Sequence, residues 1–452
     1  MGDLDAVFKA YDVRGLSPEQ LDADLCARIG AAFARFAAER DGATRVLVAR
    51  DMRPTGVELV AAFTDGVLAQ GLDVVDLGLA STDIAYFAAG HLDAPAAMFT
   101  ASHNPAQYNG IKMCLSAAKP IGADSGLGEI KAMAAAGVDV PAGTARGTRT
   151  EDDLLGLYAD HVRSFVDRSV FGPLKIVADT ANGMGGLVVP AVFEGLPFDL
   201  EIMYGELDGT FPNHPADPIN PANQVDLKRR VLEAGADVGL AFDGDADRVF
   251  LVDEKGEGLS GSTTTAIVAA GVLTKEPGAT ILYNCICSKS VPEVVAERGG
   301  TAIRTRVGHS YIKQVMAETG AAFGGEHSAH YYFRENYRAD SGAIAALLVL
   351  EQLGLAGVPL SELRTPFERY AASGEINFEV PSPPAVVERV AEAFAGADQD
   401  RLDGLTVDLG SWWFNLRASN TEPLLRLNLE APTPAEVDAH VAELRVVIDQ
   451  EG

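Results

Sequence analysis

The stretch DVGLAFDGDADRVFLVD, residues 237–253, sets two apolar runs on either side of a hexapeptide that carries three aspartates. DVGLAF (237–242) and VFLVD (249–253) have the length and content of buried strands, and DGDADR (243–248) reads as the polar turn between them. Upstream, a helix at 152–167 leads into strand LKIVAD (174–179), the turn TANGMGG (180–186), strand FDLEIMYG (198–205), a Pro-rich loop at 211–223 and a further helix. Helices alternating with apolar strands predict a layered α/β unit, which we bound at 148–253.

The same alternation extends outward. Residues 1–147 offer Ser17-Pro18-Glu19-Gln20 as a capping box, then Leu21, Leu25, Ile29, Phe33 and Phe36 at helical spacing, strand RVLVA (45–49), a helix at 54–69, and strands at 73–78 and 96–100. A Gly- and Ala-rich stretch at 134–148 closes that unit. Residues 254–368 predict helices at 262–274, 290–298, 309–319 and 341–354 around strands at 280–287 and 301–307. Residues 369–452 differ: strands at 376–380, 405–409, 411–417 and 424–430 lie between helices at 384–396 and 434–449, the last capped by Thr433 and Glu436. The expected fold class is α/β, with three similar mixed α/β domains plus a C-terminal α+β domain.

The chain has 452 residues, and 36 basic against 64 acidic side chains leave a net charge of −28. Such a field repels nucleic acid and anionic lipid, so neither is expected as a partner, and a phosphorylated ligand needs a local basic pocket. MGDLDAVFKAYDVRG has no secretory pattern, and no apolar run reaches the roughly 18 residues of a membrane span. Four cysteines are too few to staple the chain, which points to a reducing cytoplasm; Cys285 and Cys287, in the apolar run ILYNCIC, are expected as buried strand thiols.

Asp243, Asp245 and Asp247 alternate along the hexapeptide, so their carboxylates can converge on one hard cation that relieves their repulsion; oxygen donors favour magnesium or calcium. An EF-hand loop also opens D-x-D-x-D, with Glu254 at its twelfth position, but Arg248 stands where that loop needs Gly, and residues 249–253 read as a strand. A solvated acidic turn is the third reading. TASHNP (100–105) puts Ser102 at the end of an apolar strand, a place suited to a nucleophile or a phosphoryl carrier, without the G-x-S-x-G elbow of an acyl hydrolase. His103 is expected to point away from Ser102, because adjacent side chains diverge. Asn109 to Lys112 supply a turn and a cation. GGEHSAH (324–330) is a flexible polar turn able to read hydroxyls, and RASNTEP (417–423) can cradle a phosphate. Taken singly, each of these loops is also compatible with an ordinary polar loop.

In order, AYDVRG (10–15), TASHNP, DGTFPNHPADP (208–218), DGDADR, VGHSYIK (307–313), GGEHSAH and RASNTEP resemble the α-D-phosphohexomutases, most closely the bacterial phosphomannomutase/phosphoglucomutase branch. The resemblance spans nearly the whole chain. It implies four domains around a central active-site cleft, each giving one loop. It implies that Ser102 carries a phosphoryl group and that Asp243, Asp245 and Asp247, with an oxygen on Ser102, hold one Mg²⁺ per chain. It implies that Arg14, Lys112 and Arg248 line the transfer site, that His309 and His330 act beside the sugar, and that Tyr11 lies near the serine loop among the substrate-binding residues. Glu326 and Ser328 are implied to read sugar hydroxyls, and Arg417, Ser419, Asn420 and Thr421 to hold the phosphate that is not reacting. Lys112 is expected to relay the hydroxyl proton with a pKa lowered by neighbouring cations.

The implied reaction interconverts hexose 6-phosphate and hexose 1-phosphate through hexose 1,6-bisphosphate, on mannose and also glucose, in a cytoplasmic monomer or homodimer. Alternatives are a phosphoglucosamine mutase, disfavoured by Asn420 where that enzyme more often has Gly; a serine-dependent metal phosphatase; and a non-catalytic sugar-phosphate-binding protein on the same scaffold. Two departures stand out. Ala329 replaces a usual Gly, and Ile286 stands where relatives often carry Lys or Arg, with Lys289 as a compensating cation.

Overall fold

The computed structural model describes residues 4–140, 142–418 and 424–449. Among them the strands form four sheets. The first runs Val13–Leu16, Tyr108–Leu115, Ala96–Phe99, Arg45–Arg50, Asp73–Leu79 and Arg149–Glu151, with Lys119–Pro120 beside Tyr108–Leu115. Arg50, Phe99 and Leu79 end three neighbouring parallel strands, so the segments after them emerge on one side of the sheet. Arg149–Glu151 pairs parallel to Asp73–Leu79, so the chain closes this sheet before entering the next unit.

The second sheet runs Val249–Asp253, Val238–Phe242, Leu174–Asp179 and Phe198–Met203. Val238–Phe242 and Val249–Asp253 pair antiparallel, register Phe242 to Val249, so the aspartate hexapeptide is a hairpin turn at the sheet's edge. The third runs Thr301–Thr305, Thr280–Asn284, Phe323–Gly325 and Tyr331–Phe333, again mixed. The fourth runs Ala371–Glu379, Leu424–Ala431, Trp413–Ala418, Leu405–Asp408 and Asp398–Asp400, antiparallel throughout. Three mixed α/β layers and one α+β layer are the expected class.

One apolar core runs through the first three units, from Leu47 through Phe242 and Ile281 to Phe367. The fourth unit buries its own core, with Val390, Phe414, Leu427 and Leu444. Its contacts with the third unit include many polar ones: Lys289 Nζ to Asp408 (2.7 Å), Arg369 to Glu297 (2.6 Å), Tyr370 to Glu293 (2.5 Å) and the Val307 amide to Asp403 (2.9 Å). A unit with a separate core and charged seams can move as a body more cheaply than units that share apolar packing.

Several local expectations give way. Ser17 caps no helix; residues 17–20 form a turn, and the helix Ala23–Asp41 is capped by Asp22, whose carboxylate accepts from the Leu25 amide at 2.8 Å. The cap competes better because it sits directly before the helix and three residues before the amphipathic run Leu25, Ile29, Phe33, Phe36, all buried, while Leu21 lies outside the helix. Asn109 to Lys112 belong to strand Tyr108–Leu115, not a turn, because Ile111, Met113 and Cys114 are buried against Ala96–Phe99. Cys285 and Cys287 are buried but lie in the turn after Thr280–Asn284; burial pushes the Cys285 thiol up to about 12. Gly324 and Gly325 close a strand, and the polar turn starts at Glu326. No single helix among the described residues is long and apolar enough to cross a membrane.

Candidate active site

Ser102 follows strand Ala96–Phe99 with φ = 50°, a left-handed conformation costly for a serine. Its amide donates to Thr100 Oγ1 (2.9 Å), and its hydroxyl donates to Asp243 Oδ2 (2.9 Å). The serine turn and the aspartate hairpin touch through backbone: a Cβ on Gly244 would lie 2.4 Å from the Ser102 carbonyl oxygen, so only glycine fits there. Two units thus bring one hydroxyl against three carboxylates.

Asp243, Asp245 and Asp247 are all buried, with one oxygen of each within 4.8 Å of the others. Asp245 Oδ1 and Asp247 Oδ1 have no hydrogen-bond partner among the described residues. Orphaned, buried, all-oxygen donors at this spacing fit a hard divalent cation. The rest of the charge is met by side chains. Lys112 Nζ donates to Asp245 Oδ2 (2.8 Å) and Asp247 Oδ2 (2.7 Å), and Arg248 donates to Asp243 Oδ2 through NH2 (2.8 Å) and Nε (3.0 Å). Thr82 donates its hydroxyl to Asp245 Oδ2 (2.5 Å) and its amide to the Asp245 carbonyl (3.1 Å). Burial pushes the Asp243 carboxyl well above the usual range, against the pull of Arg248. Asp245 is equally buried, and desolvation pushes its carboxyl up, but the Lys112 ammonium, the Thr82 hydroxyl and Arg248 together hold it below that range.

The same pair reverses one expectation. Burial would lower the Lys112 pKa, but Asp245 and Asp247 raise it well above the ordinary value, so Lys112 stands as a fixed ammonium. His103 reverses another. Its Nδ1 lies 3.3 Å from Ser102 Oγ and accepts from Arg248 NH2 at 2.7 Å. Divergence of adjacent side chains holds for extended backbone, and the left-handed turn at Ser102 breaks it. Burial and then Arg248 drive the His103 pKa well below its usual value.

Arg14, on strand Val13–Leu16, reaches Asn104 Oδ1 (2.6 Å) and Asp12 Oδ2 (2.5 Å) and so borders the serine turn. His330 forms a β-bridge with Arg248; its Nδ1 is 3.0 Å from Ser328 Oγ and its Nε2 3.9 Å from Asp247 Oδ1. Glu326 is buried and held by the Gly308 amide (3.0 Å), Asn284 (3.2 Å) and Tyr332 OH (2.7 Å). His309 is shifted well below its usual pKa by burial, and its ring meets Tyr11 edge-on at 5.5 Å. Tyr11 OH donates to the Val307 carbonyl (3.4 Å) and borders a cavity of about 760 Å³ that also holds Arg306, Asp403 and Arg417. Ser419, Asn420 and Thr421 lie outside the described residues.

Matches to known proteins cover all four units. Family models described as phosphoglucomutase/phosphomannomutase alpha/beta/alpha domains I, II and III match residues 5–137, 157–257 and 260–370, and the C-terminal domain model matches 375–446. The chain belongs to the phosphoglucomutase/phosphomannomutase family. A phosphomannomutase of Salmonella montevideo is 39% identical over 434 residues, 94% of each chain. A protein named phosphohexose mutases from Xanthomonas campestris pv. campestris (strain ATCC 33913) is 40% identical over 427 residues, again 94% of each chain. The crystal structure of a phosphoglucomutase/phosphomannomutase family protein from Burkholderia thailandensis superposes with a TM-score of 0.89 at 31% identity, over 100% of this chain and 99% of that one.

Within this mutase, Ala329 has φ = 66°, the backbone region glycine tolerates best, which accounts for the Gly expected there; the alanine costs about 1 kcal/mol. Lys289 does not stand free to replace a cation at buried Ile286, since its ammonium is taken by Asp408. Arg53 escaped the sequence reading. Fully buried, it donates from Nε to Asp51 (3.2 Å), from NH1 to the Pro105 and Tyr108 carbonyls (2.8 Å each), and from NH2 to the Ser102 (2.9 Å) and Asn104 (2.7 Å) carbonyls. The visible signal was Arg50-Asp51-Met52-Arg53, three charges directly after an apolar strand.

Proposed function

We propose that the protein interconverts hexose 6-phosphates and hexose 1-phosphates, those of mannose and also glucose, with Ser102 as the phosphoryl carrier and hexose 1,6-bisphosphate as intermediate and activator. The observation that carries the reading is the 2.9 Å contact of Ser102 Oγ with Asp243, inside a cluster of three buried aspartates and Arg248. Mg²⁺ held by Asp243, Asp245 and Asp247 would offset the negative charge of phosphoryl oxygens at Ser102.

The chain's own residues do the positioning. Arg248, 3.4 Å from Ser102 Oγ, and Lys112, kept charged by its two aspartates, supply fixed positive charge where a phosphoryl group would sit on Ser102. His330, anchored by Ser328, takes and returns the sugar hydroxyl proton at Nε2. Arg417, with the loop at 419–421, holds the phosphate at the other end of the sugar. The bisphosphate turns over in the cleft, and the second phosphoryl group returns to Ser102. Reversal roughly exchanges the 3- and 4-hydroxyls, so Glu326 and Ser328 serve both orientations while carbon 2 goes unread. Mannose and glucose differ only there.

The test compares mannose 1-phosphate, glucose 1-phosphate and glucosamine 1-phosphate side by side, with catalytic hexose 1,6-bisphosphate, in wild type and Ser102→Ala. Mannose and glucose turnover, lost by several orders of magnitude in the variant, is expected. Steady release of inorganic phosphate, or full activity in Ser102→Ala, refutes the carrier scheme.

A further inference from the structure

The cavity of about 760 Å³ beside Tyr11 sets four cations, Lys9, Arg306, Arg417 and Arg426, against two acids, Asp5 and Asp403. In a chain of net charge −28 this is a local reversal of sign. Arg417 and Arg426 stand directly opposite in the ladder of Trp413–Ala418 with Leu424–Ala431, and like charges so placed weaken strand pairing unless an anion sits close.

Glu375 Oε1 lies 3.6 Å from Arg426 Nε, and for Arg417 the anion is Asp403. Its Oδ2 accepts from the Val307 amide at 2.9 Å and lies 3.6 Å from Arg417 NH1. Val307 belongs to the third unit and Arg417 to the fourth, so one carboxylate bridges them. The backbone holds it in place. Gly404 has φ = 71°, and a Cβ there would lie 2.5 Å from the Leu416 carbonyl oxygen, so the chain runs hard against the strand that carries Arg417. Asn415 Nδ2 fixes the Asp403 carbonyl at 2.9 Å. A guanidinium and a backbone amide meeting one anion are the donors a phosphate takes.

We propose that Asp403 is a built-in stand-in for the substrate's non-reacting phosphate. It occupies Arg417 and the Val307 amide, ties the fourth unit to the third, and yields only to a more strongly charged anion. This rests on the reading of Arg417 as a phosphate-holding residue. Asp403 then acts through Arg417 as a positioning residue that trades affinity for selectivity: a dianionic phosphate displaces it, while weaker anions and unphosphorylated sugars do not. An acid that merely oriented Arg417 for phosphate would give the opposite sign on removal.

The test is Asp403→Asn, which keeps size and removes charge. The KM for hexose 1-phosphate is expected to fall about tenfold, a change of about 1.4 kcal/mol, with kcat not raised. Inhibition by inorganic phosphate and by sulfate should tighten by a similar factor, while Asp403→Glu stays near wild type. An unchanged or raised KM, with phosphate inhibition unchanged or weakened in a variant of wild-type circular dichroism, overturns the proposal. Calorimetric titration of both proteins with inorganic phosphate separates the two layers. If wild type turns over no hexose phosphate, the functional reading fails, whereas phosphate binding tighter in Asp403→Asn still supports the stand-in and equal or weaker binding still rejects it.

Discussion

Replacing Arg53 by lysine keeps the charge and removes the fork. The guanidinium has five N–H donors, and all five side-chain bonds are made, one to Asp51 and four to carbonyls of the serine turn and the start of the next strand. An ammonium offers three donors at one point. With one spent on Asp51, at least two of the four carbonyls lose their partner in a buried site. Each orphaned group costs about 1–3 kcal/mol, so the change is worth roughly 2–6 kcal/mol. The loss falls on the turn that holds Ser102 at φ = 50°, and the nearest relief is for that residue to leave its strained conformation, carrying Oγ away from Asp243. A displacement of about 1 Å can cost on the order of 100-fold in rate. Arg53→Lys should therefore lower kcat by about 100-fold or more, with KM changed much less. At about 2–4 °C per kcal/mol, it should also lower the first thermal transition by at least about 4 °C. A coupled mutase assay and a calorimetric melt of the same preparation read both. Wild-type kcat and wild-type melting together would falsify the argument, for they would mean that the five bonds neither hold the turn nor stabilise it.

Asp245→Asn should lose metal-dependent activity, and chelation should abolish wild-type turnover until Mg²⁺ is restored; unchanged rates in chelator-treated protein would end the metal assignment. Asp83, buried where Tyr158 and Ser341 donate to it, has its carboxyl pushed up to about 7 by burial, against those hydrogen bonds. A raised carboxyl pKa favours the folded state below about pH 4, and that contribution is lost as pH rises towards about 7. The stability of Asp83→Asn relative to wild type should accordingly rise by a few kcal/mol (order of magnitude) between about pH 4 and 8; a flat difference in urea midpoints refutes it. The separate core and charged seam of the fourth unit predict that it rotates on binding hexose 1,6-bisphosphate, and identical scattering profiles with and without that ligand would count against this.

The aspartate hairpin and the serine turn were legible because each lies at the end of an apolar strand, where local pattern fixes both the element and its exit. The capping box at Ser17 was misread because Asp22 offers the same chemistry nearer the amphipathic run, a competition that only packing settles. His103 was dismissed on a rule for extended backbone, and the left-handed Ser102 could not be seen without coordinates. Arg53 was passed over because its acceptors are carbonyls, which every residue carries. Sequence by itself determined which side chains carry the chemistry and the order of strands and helices that delivers them, since periodicity and charge are local properties. Only the tertiary structure decided that Lys112 is held as a cation, that Arg53 clamps the serine turn and that Asp403 meets Arg417, because each depends on burial and on partners from distant parts of the chain.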